Sequence, residues 1–171
     1  TIGLSNETAW GTLQFSRISK ENNFPKIVTI QNEYSLMCRH FDLDLAEVCH
    51  HEKVGLLSFS PLACGILSGK YLRGVIPDGS RKKIYNDLGN RNSQLMKNAS
   101  EAYVNLAKKN NLDPCQMALA FCLKRPFMTS VIFGATSEKQ LKNNIQSVNI
   151  ELLDTHLNEI KKIHKLYPVP F

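Results

Sequence analysis

An α/β fold with parallel strands is what this sequence predicts, and three observations predict it. Short runs rich in β-branched and apolar residues alternate with longer stretches at helical spacing. Each change is punctuated by Gly, Pro, Asp or Ser. No segment of low complexity and no linker interrupts the alternation. Strand-crossover-strand units of this kind have parallel strands and right-handed connections. The order reads β-α-β-α-β-loop-α-α-β-α-α, and the chain reads as one domain.

Residues 1–4 form a short strand, and Ser5 or Asn6 is expected to start a helix that ends near residue 21. The β-branched run 27–31 is a second strand. Asp42 or Asp44 can cap a helix to about residue 53, with Leu45, Val48 and Cys49 at helical spacing. A third strand covers 55–59, and a long loop rich in Gly, Pro and Ser follows over 60–92. The helix over 93–110 lines up Leu95, Ala99, Ala102, Tyr103 and Leu106. Asp113, Pro114 and Gln116 then supply a helix start: cap, first-turn proline, and a glutamine three residues beyond the cap. Pro126 ends that helix after residue 124. The fourth strand lies at 130–133. Ser137 caps a helix whose expected inner face is Leu141, Ile145 and Val148. A last helix, 154–166, turns Leu157, Ile160 and Ile163 inward.

The 171 residues are 43% hydrophobic and 21% charged, the balance of a globular chain. No apolar run approaches the roughly 20 residues that a membrane helix needs. No leader pattern opens the chain, which starts at Thr1. The net charge of +6 suits a solvated basic surface or a phosphate site. No zinc-finger, RRM or KH pattern points to nucleic acid. The five cysteines, Cys38, Cys49, Cys64, Cys115 and Cys122, are an odd set with no close pair, which argues for reducing cytosol. Cys49, His50 and His51 are consecutive, and consecutive helical side chains diverge too far to share one metal ion.

The most informative stretch follows the third strand. Phe59 stands at a strand end, and small residues and spaced cations come after it. Ligands of α/β proteins bind at the carboxyl ends of strands. Small residues let backbone amides approach a phosphate, and Lys70 and Arg81 can neutralise it. The window 70–83 holds Lys70, Arg73, Arg81, Lys82 and Lys83 against Asp78. A nucleotide with its ring near Phe59 and its phosphates along the loop fits these residues.

Four parallel strands can form a small open sheet or half of a (β/α)8 barrel. A whole barrel takes about 250 residues, and the first strand here begins at the first residue, as though cut. Five motifs bear on the choice. They are Gly-Leu-Ser-Asn at 3–6, Ile-Gln-Asn-Glu-Tyr-Ser-Leu at 30–36, Ser-Pro-Leu-Ala-Cys-Gly-Ile-Leu-Ser-Gly-Lys-Tyr at 60–71, Gly-Ser-Arg at 79–81, and Gly-Ala-Thr-Ser-Glu-Lys-Gln-Leu-Lys-Asn-Asn at 134–144. With these, in this order, the chain resembles the C-terminal half of an aldo-keto reductase. It is most similar to the branch that contains the β-subunits of voltage-gated potassium channels and related bacterial and plant reductases.

The resemblance implies the C-terminal half of a (β/α)8 TIM barrel that binds NADPH across the carboxyl ends of its strands. By that resemblance Ser5, Asn6 and Gln31 match the residues that hold the nicotinamide carboxamide; Asn and Gln both donate and accept. As residues alone, Ser5 and Asn6 serve equally as helix caps and Gln31 as a strand-end turn. Phe59 matches the aromatic that stacks on the nicotinamide, where many relatives have Trp or Tyr. Ser60, Pro61, Leu62, Ala63 and Cys64 match the segment beside the pyrophosphate, and Lys70 and Arg81 its cations. Gly134, Thr136, Gln140, Asn143 and Asn144 match the adenosine end, where free helix N-terminal amides would favour the 2′-phosphate. Gln140 also completes a capping box with Ser137. Many relatives have Glu in place of Asn143, so the adenine contact is weaker here.

Family chemistry is hydride transfer to an aldehyde or ketone carbonyl, with a Tyr as general acid supported by Lys, Asp and His. All four belong to the other half of the barrel, and their motifs are absent from 1–171. Tyr34 lies in a motif of its own, and His40, His50, His51, His156 and His164 read as surface or structural residues. The expectation is a partial domain that carries the cofactor site without the catalytic tetrad. Its parent is an NADPH-dependent reductase or a channel-regulating, redox-sensing subunit. A half barrel exposes two sheet edges and an inner face, expected to be apolar. The isolated chain would then pair with a second copy, rearrange, or belong to a longer parent.

Overall fold

The computed structural model describes residues 1–86, 88–89 and 91–171. Strands β1 (Ile2–Ser5), β2 (Ile27–Glu33), β3 (Gly55–Phe59) and β4 (Met128–Val131) form one parallel sheet in the order β1-β2-β3-β4. Helix α1 (Ala9–Glu21) joins β1 to β2, and α2 (Leu45–Glu52) joins β2 to β3. Between β3 and β4 lie α3 (Arg81–Tyr85), α4 (Gln94–Lys109) and α5 (Pro114–Leu123), with α6 (Glu138–Ile145) and α7 (Asp154–Leu166) after β4. The strand order separates the two sequence readings. A doubly wound sheet reverses its order and covers both faces. Here each strand lies beside its predecessor, so crossovers of one hand stack every helix on one side. That is the arrangement of half a (β/α)8 barrel.

The register shows which residues share a face. Laterally paired residues in parallel strands point the same way, and successive residues alternate. Leu4, Ile30, Leu56 and Met128 make one row, and it packs into the core. Tyr34, Tyr103, Met117, Ala118 and Phe121 close that core from the helix side. Ser5, Gln31, Leu57 and Ser130 make the opposite row, on the bare face. This face is therefore mostly polar and small rather than apolar as expected. Gly3 and Gly55 lie on it because a Cβ at either would strike the hydroxyl of Thr29 or Thr129.

Several boundaries differ from the sequence reading. Helix α1 is capped by Thr8, whose Oγ1 accepts from the Gly11 amide at 3.1 Å, not by Ser5 or Asn6. Ser5 pairs in β1, and Asn6 turns the chain with a φ of 53°. Asp44 rather than Asp42 precedes α2, because the Asp42 carboxylate is taken by Arg39 and Tyr34. The loop 60–92 contains short helical turns and α3, and β4 starts two residues early, at Met128. Asp113 caps α5 through Cys115 and Gln116 amides at 2.8 and 3.1 Å, as its motif predicts.

The largest departure concerns the outermost helices. In α6 the buried residue is Asn144, while Leu141, Ile145 and the following Val148 are exposed. In α1 small and polar residues (Gly11, Thr12, Ser16, Ser19) are buried, whereas Trp10 is 72% exposed beside exposed Leu13, Phe15 and Ile18. Both helices flank a free sheet edge, where a neighbouring unit of a full barrel would cover them. Among the described residues no helix is long and apolar enough to cross a membrane.

Candidate functional site

The parallel sheet brings every strand's carboxyl end to one side, and the sequence-assigned residues gather there. Ser5 of β1 pairs with Gln31 of β2, and the Asn6 amide donates to the Gln31 carbonyl at 2.9 Å. Phe59 ends β3 two residues beyond Leu57, on the same bare face as Ser5 and Gln31. All four tips are at least partly open to solvent.

Beyond Phe59 the backbone enters a run of conformations that L residues avoid. Ser60, Ala63 and Cys64 have φ of 51°, 47° and 57°, and Gly65 has 86°. Such strain persists only where surrounding structure enforces it, and it concentrates at ligand sites. Ala63 N–H donates to Ser60 O and Gly65 N–H to Leu62 O, so the arm is a tight double turn. Ala63 is fully buried and anchors the arm; Ser60, Pro61, Leu62 and Cys64 line a cavity of about 290 Å³.

That cavity also takes in Lys70 and Arg81 from the loop and Gly134, Thr136 and Gln140 from the β4–α6 turn. The Lys70 ammonium lies 5.2 Å from the Tyr71 ring, and the Arg81 guanidinium 5.8 Å from the Tyr85 ring. Arg81 opens α3, whose cap is Ser80. At the other wall Gln140 Oε1 accepts from the Thr136 amide and hydroxyl at 3.0 and 3.1 Å. Gln140 N–H in turn donates to Ser137 Oγ. The Thr136 amide is therefore already engaged rather than free, and the Gln140 amide is capped by Ser137 as the capping-box alternative has it. Gly65, Gly79, Ile132 and Phe133 also line the cavity and were missed. For the glycines the signal was there, in a loop of small residues; the two apolar residues are indistinguishable from core in sequence.

Ser5, Asn6, Gln31, Phe59 and Ala63 do not line this cavity, and Asn6 instead lines a second one with Asn32 and Glu33; Asn143 and Asn144 do not reach the lining either. Asn143 donates to Asp113 at 3.1 Å and accepts from Gln116 at 3.0 Å, which ties α6 to the start of α5. Asn144 is buried. The Gln116 side chain thus serves Asn143 rather than its own helix cap.

Tyr34 lies elsewhere. It is fully buried, and its hydroxyl donates to Asp42 at 2.9 Å. Burial, then the Asp42 charge, pushes its phenol well above the ordinary range. Arg39 holds Asp42 at 2.7 Å and Arg125 at 3.3 Å, and Phe121 stacks on Tyr34. This cluster ties core elements together and offers no proton to the strand tips. Burial likewise raises the thiols of Cys38, Cys49 and Cys115 to about 11 and Cys122 to about 12. Among the described residues no group of three metal-binding side chains converges.

A half barrel with a basic loop of left-handed residues at its strand tips defines an α/β protein of the parallel, barrel-forming class. The Aldo/keto reductase family pattern matches residues 1–165, and this chain belongs to that family. It is 44% identical to "Protein tas" of Escherichia coli (strain K12), over 99% of this chain and 49% of that protein. It is 35% identical to "Aldo-keto reductase" of Babesia bovis, over 92% and 59% of the two chains. It is also 36% identical to "Probable voltage-gated potassium channel subunit beta" of Arabidopsis thaliana, over 70% and 38%. The chain spans about half the length of the curated relatives it matches.

Proposed function

We propose that residues 1–171 form the cofactor-binding half of an NADPH-dependent aldo-keto reductase, whose parent reduces small aldehydes or ketones. The observation that carries this reading is the convergence of Lys70, Arg81, Cys64, Gly134, Thr136 and Gln140 on one cavity that begins at the residue after Phe59, at the same end of the sheet as Ser5 and Gln31. The donor set fits a dinucleotide. Two cations suit phosphates, amide side chains suit a carboxamide, and an aromatic face suits a planar ring. When bound, the nicotinamide supplies a hydride to a carbonyl carbon. Ser5, Asn6 and Gln31 orient it; Phe59 supports its ring; Ser60, Pro61, Leu62, Ala63 and Cys64 present backbone to the pyrophosphate. Lys70 and Arg81 neutralise the phosphates, and Gly134, Thr136 and Gln140 border the adenosine. Proton delivery to the carbonyl oxygen falls to the other half of the parent barrel, since Tyr34 is committed to Asp42. Five free cysteines support a cytoplasmic setting.

A titration of the chain with NADPH and NADH, followed by Trp10 and nucleotide fluorescence, tests this. NADPH is expected to bind more tightly. Lys70→Met and Arg81→Met should each weaken it about tenfold, the size of one charge-assisted bond, at unchanged melting temperature. Equal response to both nucleotides, indifferent to both substitutions, overturns the reading. A second reading is favoured by the similarity to the Arabidopsis thaliana protein: a regulatory subunit that docks on a channel and senses redox state through the same nucleotide. Aldehyde turnover by the full-length parent separates the two.

A further inference from the structure

Arg91 is 7% exposed, although nothing in its sequence surroundings marks it. A guanidinium so deeply desolvated is costly unless its charge and hydrogen bonds are met. Here the charge and both Nη groups are met by contacts from four places in the chain, while the buried Nε has no hydrogen-bond partner. Its Nη2 pairs with the carboxylate of Glu33, at the β2 tip opposite Phe59. Its Nη1 donates to the carbonyls of Leu88 and Gly89, both at 3.0 Å, and lies 3.8 Å from Cys64 Sγ. The Phe171 ring covers the guanidinium at 4.6 Å, and Ser93 Oγ holds the adjoining Pro170 carbonyl at 2.6 Å. Ser93 is also the cap of α4, accepting from Met96 at 2.9 Å.

We propose that Arg91 is a positioning residue for the nucleotide cavity. Its planar fork holds the strained Cys64 arm at a set distance from the β2 tip, and Phe171 clamps the fork in place. The chemistry supports positioning rather than mere adhesion. An apolar side chain of similar volume would seal the same space at least as stably. Only the rigid fork fixes the angle between a strand tip, two loop carbonyls and a thiol. The arm it holds carries the left-handed residues Ala63, Cys64 and Gly65, which a free loop would not keep. The ligand in this inference rests on the nucleotide reading above; the positioning does not.

The test measures amide hydrogen exchange at residues 62–68 and 117–122 in the nucleotide-free chain, beside NADPH titration. Arg91→Gln is expected to speed exchange about tenfold at 62–68 and leave 117–122 of α5 unchanged. NADPH affinity should fall about tenfold with it. Arg91→Lys should fall between, and Glu33→Gln with Arg91→Gln should be no worse than Arg91→Gln alone, because the two act as one unit. A chain lacking residues 170–171 should show a smaller rise at 62–68. A uniform rise at both segments, which is the signature of lost stability alone, overturns the proposal, as does no change at either. If the unaltered chain binds neither nucleotide, the cofactor reading fails while the exchange pattern still decides the role of Arg91.

Discussion

The two faces of the sheet are made by the same four strands and do opposite things. Toward the helices lie Leu4, Ile30, Leu56 and Met128; toward the bare side lie Ser5, Gln31, Leu57 and Ser130. Ile30 and Leu56 are wholly buried. On the other side the glycines and hydroxyls leave room, and Phe59 and Leu57 are the larger apolar residues. One face holds the fold together, and the other is kept small and polar up to the tips where the candidate site lies. A period of two lets the two demands be met independently.

Substitution can break or sharpen this contrast. Leu56→Ala should cost about 3 kcal/mol by urea denaturation, the usual price of an emptied core position. Gln31→Ala should cost at most about 0.5 kcal/mol while weakening NADPH binding. Similar losses for the two would erase the distinction between the faces. A somewhat smaller effect is expected in the buried cluster behind the sheet. Asp42→Ala leaves Arg39 and Arg125 without their shared carboxylate and should cost about 2–3 kcal/mol, reduced from the fully buried case by partial solvent access. Nucleotide affinity should hardly change, because the cluster does not face the cavity.

The smallest effect concerns His164. Burial first, and then the Arg39 charge, lowers its pKa below 6.5, with Asp42 opposing. The folded state therefore binds a proton less readily than the unfolded chain. Its contribution is present above the ordinary histidine range and fades as pH falls through the lowered value. Melting temperature measured from pH 7.5 to 5 should drop for the unaltered chain and drop less for His164→Leu. Parallel curves would remove His164 from the account.

The elements were legible because their signals are local. Asp113-Pro114 caps a helix whatever surrounds it, and the β-branched run at β2 reads as a strand in any neighbourhood. Most of the cavity was legible through motifs, including Lys70, Arg81, Gly134 and Thr136. Two readings failed for physical reasons, and a third left out contacts that only the fold brings together. Thr8 displaced Ser5 and Asn6 as the cap because β1 continues through Ser5, whose backbone is already paired. The stripe Leu141, Ile145 and Val148 has helical periodicity, but periodicity does not say which neighbour covers a face. The bonds of Asn143 to Asp113 and Gln116 were not legible, because those partners lie some thirty positions away in the chain.

What the amino-acid order determined by itself was the alternation of strand and helix and the small, basic loop after Phe59. These depend on dihedral preference and on spacing of a few residues, which short windows contain. Only the tertiary structure decided that the strands stand in sequential order with one face bare, that the loop and the β4–α6 turn close on one cavity, and that Glu33, Cys64, Arg91 and Phe171 meet. Those contacts join segments far apart in the chain, and the energy that selects them comes from burial and charge pairing, which no local window records.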